Sequence, residues 1–203
     1  MAALSQLDVI NACLDTMGES PINAIDLDHP FVASALNKLN TSNTLEQSRG
    51  WWFNKDLLEL VPDSTTGFIY LPADQINVET AYPAVVARGR RLYDRTKSTY
   101  DMRAFVAATG GAVQAIVVRE IPFADLPMMA QHVVCARTAL DFQAAFDGDR
   151  DKYNKLGGAY QQAFNVLRAE DIRNERINFL NAPSVRAKLR LISPVTRYTR
   201  RGW

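Results

Sequence analysis

The sequence changes character at QSRGWWFN, residues 47–54. Before this stretch apolar residues recur every three or four positions, as on one face of a helix; after it come short aromatic and β-branched runs broken by Pro, Gly and Asp, as in strands joined by turns. Three aromatic residues in a row cannot all face one side of a strand, so we expect one ring to pack on the helices and another to face the opposite side of the sheet. We interpret the stretch as a structural hinge in preference to a ligand site. The hinge residues are Arg49, Gly50, Trp51, Trp52 and Phe53.

Two helices are predicted before the hinge. In the first, Ser5 stands three residues before Asp8 as a variant of the capping box, and Gly18 closes the helix. The second is predicted to begin around Pro30 and to end near Arg49-Gly50. The apolar stripe of the first helix consists of Leu4, Leu7, Ile10, Leu14 and Met17.

Short strands are predicted after the hinge. The turn at residues 88–90 is predicted to be a hairpin tip at which Gly89 supplies a positive φ. No regular element is assigned to residues 97–111, and residues 109–111 are predicted to form a mobile loop. The candidate strands are residues 51–61, 68–71, 76–81, 84–87, 91–95 and 112–119.

Helical periodicity returns after Pro122, with Asp125 as the predicted N-cap of a third helix and Pro127 in its first turn. Gly148 ends this helix and a fourth follows. Inside the fourth helix Gly157-Gly158 predicts either a bend or the close approach of another backbone. The polar residues 170–176 are expected to be a helix that projects from the body.

The order of helices, strands and helices predicts an α+β fold. Two helices before and two after the strands form a helical bundle, an antiparallel β-rich subdomain is inserted in it, and an extended tail follows. The predicted divisions are residues 1–50, 51–121, 122–180 and 181–203. Each part is small, so additional burial against neighbouring subunits would stabilise it.

The charges are unevenly distributed along the chain. The formal net charge is +1, which argues against a dedicated nucleic-acid coat. Six of the 23 basic residues and none of the 22 acidic ones lie in residues 181–203, which leaves 17 basic against 22 acidic residues in residues 1–180. No stretch has the length and apolarity of a membrane span or the pattern of a secretory signal, so we expect a soluble protein made in the cytoplasm.

The tail, residues 181–203, combines its six cations with aromatic and aliphatic side chains. A segment of this composition can become ordered when it binds a partner, because cations steer the encounter and rings provide buried anchors. Nucleic acid is the competing partner, since cations neutralise phosphates and rings stack on bases. The candidate binding residues are Arg186, Lys188, Arg190, Arg197, Tyr198, Arg200, Arg201 and Trp203.

The sequence contains no recognisable catalytic motif, and we predict no catalytic site, metal or cofactor. His29 is interpreted as part of a polar helix lead-in and His132 as a residue at the edge of the core. Residues 147–158 begin like a calcium loop, but Lys152 and Gly158 occupy the positions of its glycine and bidentate glutamate, so their aspartates are predicted to cap a helix. The two cysteines, Cys13 and Cys135, are predicted to be buried thiols.

Several pieces of the sequence resemble, in order and spacing, the tail tubular protein A family, the adaptors or gatekeepers of short-tailed phages related to T7. The resemblance runs over about residues 4–150 and includes the Ala-, Asn- and Leu-rich second helix. The other pieces are Ser48-Arg49-Gly50-Trp51 with Phe53-Asn54, Leu92-Tyr93-Asp94-Arg95-Thr96, and Ile10-Asn11 through Met17-Gly18-Glu19-Ser20-Pro21-Ile22.

The resemblance implies structural work in a virion tail assembled in the host bacterial cytoplasm. It implies a helical bundle that carries a β-rich subdomain and forms a twelve-subunit ring beneath the portal. The ring would continue the DNA channel, without binding DNA specifically, into a nozzle of tail tubular protein B, and would offer a surface to tail fibres. In such adaptors a C-terminal extension reaches the portal, which assigns that role to the basic tail. Two alternatives remain: a DNA-binding accessory protein acting through the tail, and a tail enzyme cutting polysaccharide, whose paired carboxylates nothing in the sequence locates.

Overall fold

The computed structural model describes residues 3–181, with side chains through residue 174. Helices lie at both ends of this part and strands between them, so the predicted α+β class is confirmed. None of these helices is both long enough and apolar enough to cross a membrane. The elements are α1 Gln6–Thr16, α2 Val32–Gln47, β1 Lys55–Leu60, β2 Gln75–Thr80, β3 Val85–Arg88, β4 Arg91–Asp94, α3 Arg103–Thr109, β5 Val113–Arg119, α4 Met128–Phe146 and α5 Arg150–Asn181.

Helix α4 is the centre of the bundle and contacts α1, α2 and α5. Its Phe142 is completely buried in a cluster with Ile10 and Leu14 of α1 and Val32 of α2. The capping box predicted from Ser5 and Asp8 is present at the start of α1. The bundle therefore contains two helices from before the strands and two from after them, as predicted.

The strands form two small antiparallel sheets. In the first, β5 lies between β1 and β2, and its Val113, Ala115 and Val117 are buried on one face. In the second, β3 and β4 form a hairpin in which Arg88 pairs with Arg91. Gly89 at its tip has a φ of 58°, as predicted.

Several expectations about the inserted region are wrong. Residues 103–109, to which no element was assigned, form α3, because Val106 packs into the core of the sheets. Of the loop predicted at residues 109–111, Thr109 ends this helix and only Gly110 and Gly111 follow it. The strand predicted at residues 68–71 makes only an isolated bridge between Tyr70 and Arg91. The strand predicted from residue 51 begins at Lys55, because residues 51–54 form a turn.

Three helix boundaries also differ from prediction. Helix α2, predicted to begin around Pro30 and to end near Arg49-Gly50, begins at Val32 and ends at Gln47. Asp125 is not the N-cap of α4: Leu126 and Pro127 are extended, as the residue before a proline prefers, and α4 begins at Met128. Of the two alternatives predicted for Gly157-Gly158, the close approach of another backbone is not observed, because a Cβ at either glycine would meet nothing within 4 Å among the described residues. The polar residues 170–176 continue α5 as a helix, as expected, but the start of the segment does not project from the body, because Asp171 Oδ1 accepts a hydrogen bond from Trp52 N at 2.9 Å.

Candidate functional site: the junction between the bundle and the sheets

The chain passes between the bundle and the sheets twice, and Asn54 holds the two crossings together. Its side chain is 2% exposed, and its Oδ1 accepts a hydrogen bond from Trp51 N at 2.8 Å. Its Nδ2 donates to the carbonyl oxygens of Gln47, at 3.0 Å, and Arg119, at 3.1 Å. One amide therefore joins the end of α2, the hinge turn and the end of β5.

Gln47, the last residue of α2, holds the second crossing. Its side chain is buried, and its Oε1 accepts a hydrogen bond from Ile121 N at 2.8 Å while its Nε2 donates to Ile121 O at 2.8 Å. Asn43, one turn earlier, also donates to Ile121 O, at 3.2 Å. Both backbone groups of Ile121 are thus bound by α2, although no strand lies there. The division of the chain at residues 50 and 121 stays a prediction, and these amides bind the chain beside both points.

Replacing Asn54 with alanine is expected to lower the free energy of unfolding by about 3 kcal/mol, because the backbone groups of Trp51, Gln47 and Arg119 each lose a hydrogen bond at the junction. Urea denaturation followed by circular dichroism measures the change. Asn40→Ala is the matched control, since Asn40 is exposed on α2, and we expect a change within about 0.5 kcal/mol. Equal stabilities of the two variants would contradict the role assigned to Asn54.

Gly50 makes the sharp exit from α2 possible. Its φ is 70°, which L side chains rarely adopt, and a Cβ there would lie 3.0 Å from Lys55 Cε and 3.2 Å from Val118 Cγ2. The backbone therefore changes direction at this one residue, close to side chains of β1 and β5. This turn places Trp51 against the bundle.

Trp51 anchors the hinge in the core of the bundle. It is 4% exposed, its Nε1 donates to Glu46 O at 2.8 Å, and its ring meets Phe164 of α5 edge to face at 5.7 Å. Trp52 and Phe53 pack against the same cluster. The expectation that the rings would face opposite sides of a sheet is wrong, because all three precede β1 and lie in or beside a turn, where alternation does not apply.

A network of charged side chains around the buried carboxylate of Glu46 lies on the helical side of the junction. Glu46 is 2% exposed, its Oε1 accepts a hydrogen bond from Tyr160 OH at 2.8 Å, and its Oε2 forms an ion pair with Arg49 Nε at 3.0 Å. Arg137 of α4 lies 3.4 Å from the same carboxylate. Burial and the hydrogen bond to Glu46 raise the pKa of Tyr160. Glu46 thus links α2 to α4 and α5, and Arg49 takes part as a structural cation whose guanidinium also covers Phe164.

The acidic groups beside the junction are bound by a cation. Arg119 contacts Asp56 at 3.2 Å and Asp74 at 2.6 Å, and its hydrogen bond lowers the pKa of Asp74. A carboxyl group with a lowered pKa is a poor general acid near neutral pH. Through these two ion pairs, Arg119 of β5 links β1 to the segment before β2.

Of the other residues considered for chemistry, Asp149 and His29 have structural contacts, whereas the Nε2 of His132 is buried and has no hydrogen-bond partner among the described residues. Asp149 Oδ1 accepts hydrogen bonds from the backbone N–H groups of Asp151 and Lys152, so it caps α5 as predicted. His29 Nδ1 accepts from Phe31 N at 3.3 Å. Within the described residues no cluster of three or more His, Cys, Asp or Glu side chains is arranged to hold a metal ion.

The cysteines are expected to be unreactive in the folded protein. Cys13 is completely buried and Cys135 is half-buried, and burial raises the pKa of Cys13 to about 12 and that of Cys135 to about 11. Because the thiolate is the reacting form, a disulfide reagent at pH 8 should label the native protein far more slowly than the same protein in denaturant. Rapid labelling of both thiols without denaturant would contradict this.

Sequence reasoning named the hinge residues, whose role as a hinge stays a prediction, but missed the side chains that hold this junction, chiefly Glu46, Gln47 and Asn54. A signal was present: Asn43, Glu46 and Gln47 continue the buried stripe of α2 beyond Leu39 at helical spacing, but with polar residues. The candidate tail residues Arg186, Lys188, Arg190, Arg197, Tyr198, Arg200, Arg201 and Trp203 lie outside the described residues.

Comparisons with known proteins agree with the resemblance in the sequence. The family model described as tail tubular protein matches residues 7–184. A curated relative, the tail tubular protein A of Klebsiella phage KP34, is 28% identical over 176 residues, which cover 86% of this chain and 91% of that protein. The chain therefore belongs to the tail tubular protein family, a family of structural components of phage tails.

Proposed function

We propose that this protein is the adaptor of a short phage tail: it forms a ring that connects the portal to the tail nozzle and continues the DNA channel. Membership of the tail tubular family supports a structural role in the tail. The observation that supports the proposal further is the junction, in which the buried amides of Gln47 and Asn54 fix the bundle to the chain at the end of β5. A connector between two large assemblies needs this rigid coupling between its two parts.

The proposed ring consists of about twelve subunits, a number taken from the family resemblance. A ring requires heterologous contacts, in which one face of a subunit meets a different face of the next. The exposed apolar residues support such contacts: β1 is an edge strand, and Leu57 on it and Val61 directly after it are 76% and 65% exposed. Burying these side chains between subunits would add stability that each small subdomain lacks.

The two ends of the subunit are proposed to bind different partners. The basic tail binds the portal above the subunit ring, because its cations and aromatic side chains are suited to binding a protein surface. The nozzle of tail tubular protein B continues below, and tail fibres dock at the side. The acidic excess of residues 1–180 suits a channel that must not retain DNA, since like charges repel the duplex.

Electron microscopy of the full chain mixed with the portal of the same phage tests the proposal. We expect a ring of this protein bound to one face of the portal ring, whereas portal alone shows a single ring. A complete failure of the mixture to assemble, across a range of salt concentrations, would overturn the proposal. Turnover of a polysaccharide by the isolated protein would replace it with the enzymatic alternative.

A second candidate, a DNA-binding accessory protein, is favoured by the six cations and the aromatic residues of the tail. It predicts tight binding to duplex DNA that weakens steeply with salt, with a log–log slope near about −5 for six phosphate contacts. A titration at two salt concentrations distinguishes it, because the adaptor should bind free DNA weakly at both.

A further inference from the structure

The hairpin formed by β3 and β4, with its flanking turn, has a strongly basic surface. Residues 84–100 contain five basic residues and one acidic residue. The acidic one, Asp94, is 2% exposed and accepts hydrogen bonds from the backbone N–H groups of Thr96 and Lys97. The surface therefore presents cations without a compensating anion. Its cations are Arg88, Arg90, Arg91, Arg95 and Lys97, which we call the basic hairpin.

Aromatic rings hold two of these cations in place. The Arg88 guanidinium lies 3.6 Å from the centre of the Tyr93 ring, and the Arg91 guanidinium lies 4.5 Å from that of Tyr100. The two tyrosine rings meet at 4.8 Å. Within residues 3–174 none of the five cations has a carboxylate within salt-bridge distance. Positioned guanidinium groups without an anion are suited to bind carboxylates or phosphates of a partner.

The same chain has a surface of opposite charge elsewhere. Residues 3–37 contain five acidic residues and no basic one, and all five acidic side chains are exposed. This surface belongs to α1 and the loop after it, which pack on α2 and α4, whereas the basic hairpin packs on the sheet core. The two surfaces are thus separate in one subunit. The acidic surface consists of Asp8, Asp15, Glu19, Asp26 and Asp28.

We propose that the basic hairpin of one copy docks on the acidic surface of the next copy. This rests on the proposed function and deepens it, because it assigns the two unlike faces that a heterologous ring requires. Arg and Tyr, which account for six of the residues 84–100, are also enriched at protein interfaces. Opposite potentials on the two faces would steer association and set its direction around the ring.

The observations favour a second copy over DNA as the occupant. The faces of Tyr93 and Tyr100 that meet guanidinium groups are not available to stack on bases. Residues 1–180 outside the hairpin segment contain 12 basic and 21 acidic residues, so the rest of the subunit would repel a long duplex. The acidic surface of another copy carries no such penalty.

Charge reversal on either face tests the proposal in the full chain. The reversed hairpin carries Arg90→Glu, Arg95→Glu and Lys97→Glu. The reversed acidic surface carries Asp15→Lys, Glu19→Lys and Asp28→Lys. The control for the reversed hairpin carries the same change of charge at exposed positions of α5, Arg150→Glu, Lys155→Glu and Arg168→Glu.

Self-association is measured by sedimentation over a range of concentrations, with circular dichroism to verify folding. We expect the wild type and the control to associate, more weakly as salt rises from about 0.05 M to about 0.5 M. Each reversed variant alone should associate about a hundredfold more weakly, because like charges then meet at every contact. An equimolar mixture of the two reversed variants should regain the association, since both kinds of contact become complementary again.

Three results would overturn the inference: a reversed hairpin that associates like the wild type, a mixture that does not recover, or a wild type that stays monomeric at every concentration. Loss of binding to a short DNA duplex in the reversed hairpin, with self-association unchanged, would assign the patch to DNA instead. If rings of the reversed hairpin form on the portal, the inference fails while the proposed function stands. If even the wild type fails to assemble on the portal, the proposed function fails, whatever the sedimentation shows.

Discussion

Replacing Trp51 with alanine is expected to lower the free energy of unfolding by about 3–5 kcal/mol, which is a large share of the stability of a typical domain. The indole is buried among side chains of α1, α2, α4 and α5. Its removal leaves a cavity in this cluster, takes the edge-to-face partner from Phe164 and leaves Glu46 O without the indole donor. Guanidinium unfolding followed by far-ultraviolet circular dichroism measures the loss without relying on tryptophan fluorescence.

Two variants separate the causes of this loss. Trp51→Phe keeps a ring in the cavity and loses the hydrogen bond, so we expect a cost of about 1–2 kcal/mol. Trp52→Ala removes a neighbouring ring that is only half-buried and should cost less than Trp51→Ala. If Trp51→Ala cost no more than Trp52→Ala, the hinge would not depend on the ring that the structure places in the core.

The architecture could be predicted from the sequence because it is built from elements whose apolar residues recur with a regular period over many residues. The stripe of α1, the periodicity of α4 and α5, and the alternation in β5 each extend over several residues and bury a continuous face. Helix α3 was missed because it has only seven residues, and its burial depends on sheets that are distant in sequence. Short elements are determined by tertiary contacts, which periodicity does not report.

The candidate site could be predicted only in part. Gly50 and the following aromatic residues marked the hinge, since glycine beside large rings is a local signal. Asn54 gave no comparable signal, because its role depends on backbone groups such as that of Arg119, which lies more than sixty residues away in sequence. Gln47 and Glu46 continue the stripe of α2, but the stripe does not reveal their partners, since Ile121 lies beyond the strands and Arg137 and Tyr160 come from two later helices.

Deleting residues 183–203 is expected to abolish docking on the portal while leaving the body folded. Among the described residues, the three core clusters consist of residues from 4 to 167, and we expect the unfolding midpoint of the truncated protein to match that of the full chain. The deletion removes six cations together with Tyr198 and Trp203, the residue types that contribute most to binding at protein interfaces. We expect portal affinity to fall by at least about a hundredfold, measured by cosedimentation with purified portal.

A full-length variant with the order of residues 183–203 scrambled separates docking from charge alone. If the tail acted only through its six cations, the scrambled tail would bind as well as the natural one, and binding would fall steeply with salt. If aromatic side chains of the tail are anchored in pockets of the portal, the scrambled tail should lose portal binding as the deletion does. Trp203→Ala should then account for a large part of the loss of affinity at any salt concentration. Undiminished docking of the truncated protein would exclude the tail from portal binding. The portal contact would then have to lie on the bundle or the sheets, whose charged surfaces offer the remaining candidates.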